Sequence, residues 1–203
     1  NTMKEKLSYT TTFSKTIDGE RIKYGIIYGN EKIVFIKVGA EGSIRGYEDK
    51  YLKMAHRVNK RIGATVICAS NPGELGYKQQ VLADKEKISD IVQELNLSDY
   101  KVYMFGTSDG AYRNLLLAKE IPETKTMLCV NTSSFDFDDL KEKVTDLPHI
   151  NKILVYGERD DGYMYVPYLN KLNLDNVRVI TIEGADHNFT GRVDEFISLV
   201  DLI

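Results

Sequence analysis

The chain has 203 residues, of which 42% are hydrophobic and 28% charged, and its formal net charge is -3. That length fits one domain over residues 1–203 with a substantial core, and the balance is that of an ordinary globular protein. Slight acidity and basic residues scattered among acidic ones speak against nucleic acid or an anionic membrane as partner.

No stretch approaches the ~20 apolar residues of a membrane span. The N-terminus lacks the basic-then-apolar pattern of a signal peptide, so a cytoplasmic location is expected. Asn1 and Thr2 precede Met3 and read as a cloning remnant. Cys68 and Cys129 each sit inside an apolar run and read as reduced core thiols. A zinc site or disulfide framework needs more ligands at closer spacing. No metal and no cofactor are expected.

In chain order, 7–14 and 21–28 read as strands joined by Asp18-Gly19, a hairpin turn. Residues 32–38 form a nearly continuous apolar run, suited to a central strand buried on both faces. Residues 48–61 read as a helix, with Tyr51, Leu52, Ala55 and Val58 on one side. Residues 65–69 are a strand stopped by Asn71-Pro72-Gly73. Residues 84–97 carry Ile88, Ile91, Val92 and Leu95 at helix spacing.

The alternation then repeats. Residues 100–105 read as a strand, 111–120 as a helix, 125–131 as a strand and 137–144 as a weak helix. A strand at 152–156 precedes a short helix at 166–172, with Pro167 in its first turn. A strand at 177–182 and an amphipathic helix at 193–202 close the chain. This pattern predicts an α/β fold. It is a three-layer α/β/α sandwich around a mostly parallel, doubly wound sheet with an antiparallel N-terminal hairpin.

In such sheets, ligands bind beyond the carboxyl ends of the strands. After 100–105 comes Gly106-Thr107-Ser108-Asp109-Gly110 and then a helix. This is the G-x-S-x-G pattern in its strand-turn-helix setting. A very sharp turn projects the Ser108 hydroxyl outward, and glycines two positions either side leave it room. The helix that follows points its positive end at the serine.

A nucleophilic serine needs a base. Of three histidines, His56 lies within a helix and His149 precedes a strand beside Pro148. His187 follows the last strand, at the same sheet end as Ser108, and is the expected base. Its imidazole needs a carboxylate to fix its tautomer and stabilise its cation. Asp160, in the turn after 152–156, is preferred, with Asp161 the near alternative and Glu158 a distant one. Asp136, Asp138 and Asp139 read instead as an acidic helix start. The chain order Ser108, Asp160, His187 is that of an α/β-hydrolase triad.

These motifs make the chain resemble the α/β-hydrolase family from about Lys32 to the C-terminus. The resemblance implies an oxyanion hole made by the N–H of Asp109 and one from the loop after 32–38, with Ala40 expected. Many relatives begin that loop with His-Gly. Here Val38 stands at the histidine position. The implied chemistry is two-step acyl transfer on a small carboxylic ester or thioester. A peptidase or amidase would use the same groups, and a non-catalytic binding protein could share the fold.

Residues 132–151 are short where many relatives insert a lid, so a minimal lid and an open site are expected. Glu41, Phe135 and Tyr163 are candidate pocket residues, with Phe137 and Tyr165 as further aromatic neighbours. The charges of Glu41 and Asp109 argue weakly against anionic substrates. The expected partner is a small acyl compound. The oligomeric state is left open.

Overall fold

A computed structural model describes residues 6–203. The expected cloning remnant lies outside the described residues. Eight strands form one sheet: β1 Thr11–Ile17, β2 Glu20–Ile27, β3 Asn30–Lys37, β4 Ala64–Ala69, β5 Lys101–Thr107, β6 Thr124–Val130, β7 Asn151–Gly157 and β8 Val177–Ile182. The helices are α1 Lys50–Ile62, α2 Tyr77–Glu94, α3 Asp109–Leu117, α4 Phe137–Thr145, α5 Val166–Lys171 and α6 Val193–Ser198.

The spatial order is β1-β2-β4-β3-β5-β6-β7-β8. β1 pairs antiparallel with β2, and β2 antiparallel with β4. The remaining neighbours are parallel. The Asp18-Gly19 turn fixes the hairpin register, with Ile17 opposite Glu20. Both turn residues have positive φ, 50° and 81°, as a two-residue hairpin turn needs. Pairing outward from that turn starts β1 at Thr11 rather than at the expected Leu7.

The alternation of the central strand explains the two outer layers. Ile33 and Phe35 face a core shared with Ile88, Ile91 and Leu115 of α2 and α3. Val34 and Ile36 face the opposite core, with Leu52 and Val58 of α1 and Phe196 of α6. Successive side chains on a strand point to opposite faces, so one apolar run supplies both cores. Cys68 and Cys129 are fully buried free thiols, and burial pushes each up to about 12. Among the described residues, no helix is long and apolar enough to cross a membrane.

Two polar features depart from the sequence reading. α2 begins at Tyr77, a full seven residues before the expected Asp84. Its first two turns bury Gln80 and Asp84 along with Val81 and Ala83, so polar residues break the apolar spacing there and weaken its signal. Asp84 meets Lys37, the last residue of β3, at 2.9 Å. Lys37 is wholly buried, and its ammonium also donates to the Ser70 carbonyl at 3.0 Å. The Tyr24 hydroxyl donates to the other Asp84 oxygen at 2.7 Å.

Candidate active site

The strand order reverses at β3. β4 lies on one side of it and β5 on the other. Open α/β sheets place ligands beyond the strand ends at such a switch. Here the loop after β3 and the turn after β5 meet. A Cβ on Gly39 would lie 3.8 Å from the Ser108 Cβ.

β5 runs through Thr107 and α3 begins at Asp109, so the connection is Ser108 alone. Ser108 has φ 56° and ψ -126°, a region that L-residues rarely occupy. Both flanking glycines are sterically required. A Cβ on Gly106 would stand 2.6 Å from Ala111 Cα, and one on Gly110 2.3 Å from the Val38 carbonyl oxygen.

The Ser108 hydroxyl lies 2.9 Å from His187 Nε2. His187 Nδ1 is hydrogen-bonded to Asp160 Oδ1. The second Asp160 oxygen accepts from the Gly162 amide at 2.8 Å, and Asp160 is 7% exposed. That hydrogen bond to Asp160 raises the His187 pKa above its ordinary value, against the opposing effect of partial burial. Asp161 and Glu158 are exposed. Asp136 caps α4 through the Asp139 amide at 2.8 Å, and Asp139 pairs with Lys143 at 3.1 Å. His56 meets the Ser8 carbonyl at 2.8 Å, and His149 is exposed.

The Asp109 amide opens α3, where first-turn N–H groups have no carbonyl partner within the helix. The Ala40 N–H has no acceptor among the described residues. Both lie beside the Ser108 turn, and Ala40 shares a cleft with Ser108 and His187.

Two charges assigned to the pocket from sequence face elsewhere. The Asp109 carboxylate takes Arg113 Nε at 2.6 Å, Asn71 Nδ2 at 2.9 Å and the Tyr77 hydroxyl at 3.0 Å. Burial alone would raise its pKa, but Arg113 and Asn71 hold it below the usual carboxylate range. The Glu41 carboxylate accepts from the Gly73 amide at 2.7 Å. Arg113 compensates the Asp109 charge, while Glu41 keeps its charge and is only oriented by the amide. Neither residue lines the clefts that touch His187, which weakens the expected bias against anionic substrates. Tyr163 does not line the clefts that touch His187. Its neighbours Met164 and Tyr165 do. Phe135 is 77% exposed and borders a small recess with Tyr77, Tyr112, Ser133 and Ser134.

Sequence reasoning missed two residues here. Ser133 places its hydroxyl 3.2 Å from that of Ser108, and its amide donates to the Ser108 carbonyl at 3.3 Å. Asn131, buried with φ 47°, ties three strand ends together. Its Oδ1 accepts from the Gly157 amide at 2.9 Å, and its Nδ2 donates to the carbonyl of His187 at 3.0 Å. The signal was an asparagine directly after a buried strand, where positive φ suits Asn. Asn131→Ala leaves these groups unpaired and is expected to cost about 1–3 kcal/mol. Chemical denaturation measures that loss, and an unchanged midpoint would contradict the role.

Solved structures resemble this architecture along nearly its whole length. Est1E from Butyrivibrio proteoclasticus superposes with a TM-score of 0.68 at 16% identity, covering 95% of this chain and 97% of that one. XC6422 from Xanthomonas campestris, described as an a/b serine hydrolase without lid, gives 0.66 at 14%, covering 98% and 95%. The thioesterase domain from the curacin biosynthetic pathway gives 0.63 at 12%, covering 95% and 99%. The chain has the α/β-hydrolase fold. No protein-family model matches the sequence. No curated protein matches it. As expected for a minimal-lid version of the α/β-hydrolase fold, only α4 interrupts the connection between β6 and β7.

Proposed function

We propose that this protein is a serine hydrolase acting on a small carboxylic ester or thioester through an acyl-enzyme. The relay from Ser108 through His187 to Asp160 carries the reading, with the hydroxyl 2.9 Å from the imidazole. His187 Nε2 takes the Ser108 proton as the oxygen attacks the substrate carbonyl. Asp160 holds the tautomer that leaves Nε2 free and stabilises the imidazolium that forms. The amides of Asp109 and Ala40 receive the developing oxyanion, and loss of one such donor costs about 3–4 kcal/mol of transition-state stabilisation. His187 then gives its proton to the leaving alcohol or thiol. A water, activated by the same imidazole, releases the acid and restores Ser108.

The similarity to an esterase-named protein and a thioesterase domain supports this substrate range. An open site with a minimal lid supports a small or exposed acyl group. Labelling by a fluorophosphonate probe tests the assignment. Modification is expected at Ser108, abolished in Ser108→Ala and retained in Ser70→Ala. Folded protein that takes no label would sink the hydrolase reading in favour of a non-catalytic binding protein. Turnover of p-nitrophenyl esters against peptide amides separates the esterase from the peptidase alternative.

A further inference from the structure

Lys50 opens α1 and is half-buried. It borders the cleft of about 260 Å³ that holds Ser108, His187, Gly39 and Ala40. The same lysine borders an adjoining cleft of about 350 Å³ that runs past Asn188 and Phe196 to Tyr47. Its ammonium lies 4.8 Å from the Phe196 ring centre and 5.2 Å from that of Tyr51. The two ring faces orient the charge.

No carboxylate compensates this charge among the described residues. Asp49, its chain neighbour, is bound by Arg45 at 3.0 Å. Glu195 of the adjacent helix is bound by Arg192 at 3.4 Å. Burial lowers the Lys50 pKa without any opposing acidic group. Partly buried cations are normally paired. A lone one at the rim of a nucleophile cleft is suited to a charge brought by the substrate.

We infer that Lys50 is a substrate-anion site, and that the favoured substrate is an acyl ester or thioester carrying its own free carboxylate. The inference rests on the hydrolase reading above and narrows its substrate class. A compact carboxylate fits better than a distant phosphate, because Lys50, Ser108 and Ala40 share one small cleft. Asp109 and Glu41 stand apart from such a substrate: Arg113 compensates the first, and neither lines the cleft that holds Lys50 and Ser108.

The test uses p-nitrophenyl hydrogen succinate, glutarate and adipate against neutral esters of matched length, with Ser108→Ala as the background. Wild type is expected to favour the anionic member of the best pair by about tenfold in kcat/KM, the scale of one charge-assisted hydrogen bond. Lys50→Met keeps an unbranched apolar side chain without the charge and should bring that ratio to about one. Lys50→Arg should keep most of it. Calorimetric binding of glutarate to Ser108→Ala protein, lost when Lys50→Met is added, reads the same site without turnover. Ser108-dependent turnover with no anionic preference, or a preference that survives Lys50→Met, would overturn the inference and leave the hydrolase reading standing. Glutarate binding that needs Lys50, with no Ser108-dependent turnover, would sustain the anion site and overturn the hydrolase reading.

Discussion

Asp160→Asn is expected to lower kcat on an activated ester about ten-thousandfold, whereas Asp161→Asn should change it only a few-fold. The two carboxylates are chain neighbours with different surroundings. Asp160 is buried, with one oxygen on His187 Nδ1 and the other on the Gly162 amide. Asp161 stands in solvent. Asparagine can present an N–H to the imidazole and favour the wrong tautomer, in which Nε2 carries the proton and cannot accept one.

The pH profile checks the same residue with a signed shift. In the proposed mechanism the neutral imidazole is the active form, so activity is expected to rise with pH through the His187 pKa. Asp160 holds that pKa above its ordinary value, so the acid limb of kcat/KM should lie above about 6.5. Removing the negative charge should move the limb to lower pH while the plateau falls. A limb that stays in place in Asp160→Asn would show that another group sets it.

The largest stability loss is expected from Asp84→Ala, about 3–5 kcal/mol in denaturant unfolding. Lys37 has no exposed surface, and removal of Asp84 leaves its ammonium with only the Ser70 carbonyl as a close partner. The cost is that of an unpaired buried charge and not the net worth of the pair. Lys37→Met combined with Asp84→Leu and Tyr24→Phe removes all three polar partners together. That variant should recover most of the loss, since an apolar replacement of a buried pair is often neutral or better. A single Asp84→Ala variant as stable as wild type would show that water reaches Lys37.

Much of this architecture was legible because short strands and amphipathic helices announce themselves by period. The Asp18-Gly19 turn, the buried run that became β3 and the final strand at 177–182 all left local signals. So did Gly106 and Gly110, whose absent side chains are demanded by backbone packing. What escaped was polar and long-range. Lys37 sits inside an apolar run, and nothing local says that Asp84 will meet it 47 residues away, as their numbers show. The first two turns of α2 bury polar groups, which hydropathy scores as surface. Glu41 and Asp109 read as pocket charges because sequence places residues but does not aim side chains. No local pattern marks Lys50, because the emptiness of its charge environment is visible only when neighbouring elements are in place.

The dependence of the Ser108 turn on β3 also bears on how the protein folds. Gly110 sits directly against the carbonyls of Lys37 and Val38, so the turn closes only when β3 and β5 are side by side. Their pairing sets Lys32 opposite Lys101, spanning about 70 residues, and closing such a loop costs entropy before any contact repays it. Until then Ser108 is an ordinary serine in an ordinary conformation. Reactivity toward a covalent probe should therefore emerge late in refolding, after helices have formed, and can serve as a clock for the closing of the sheet.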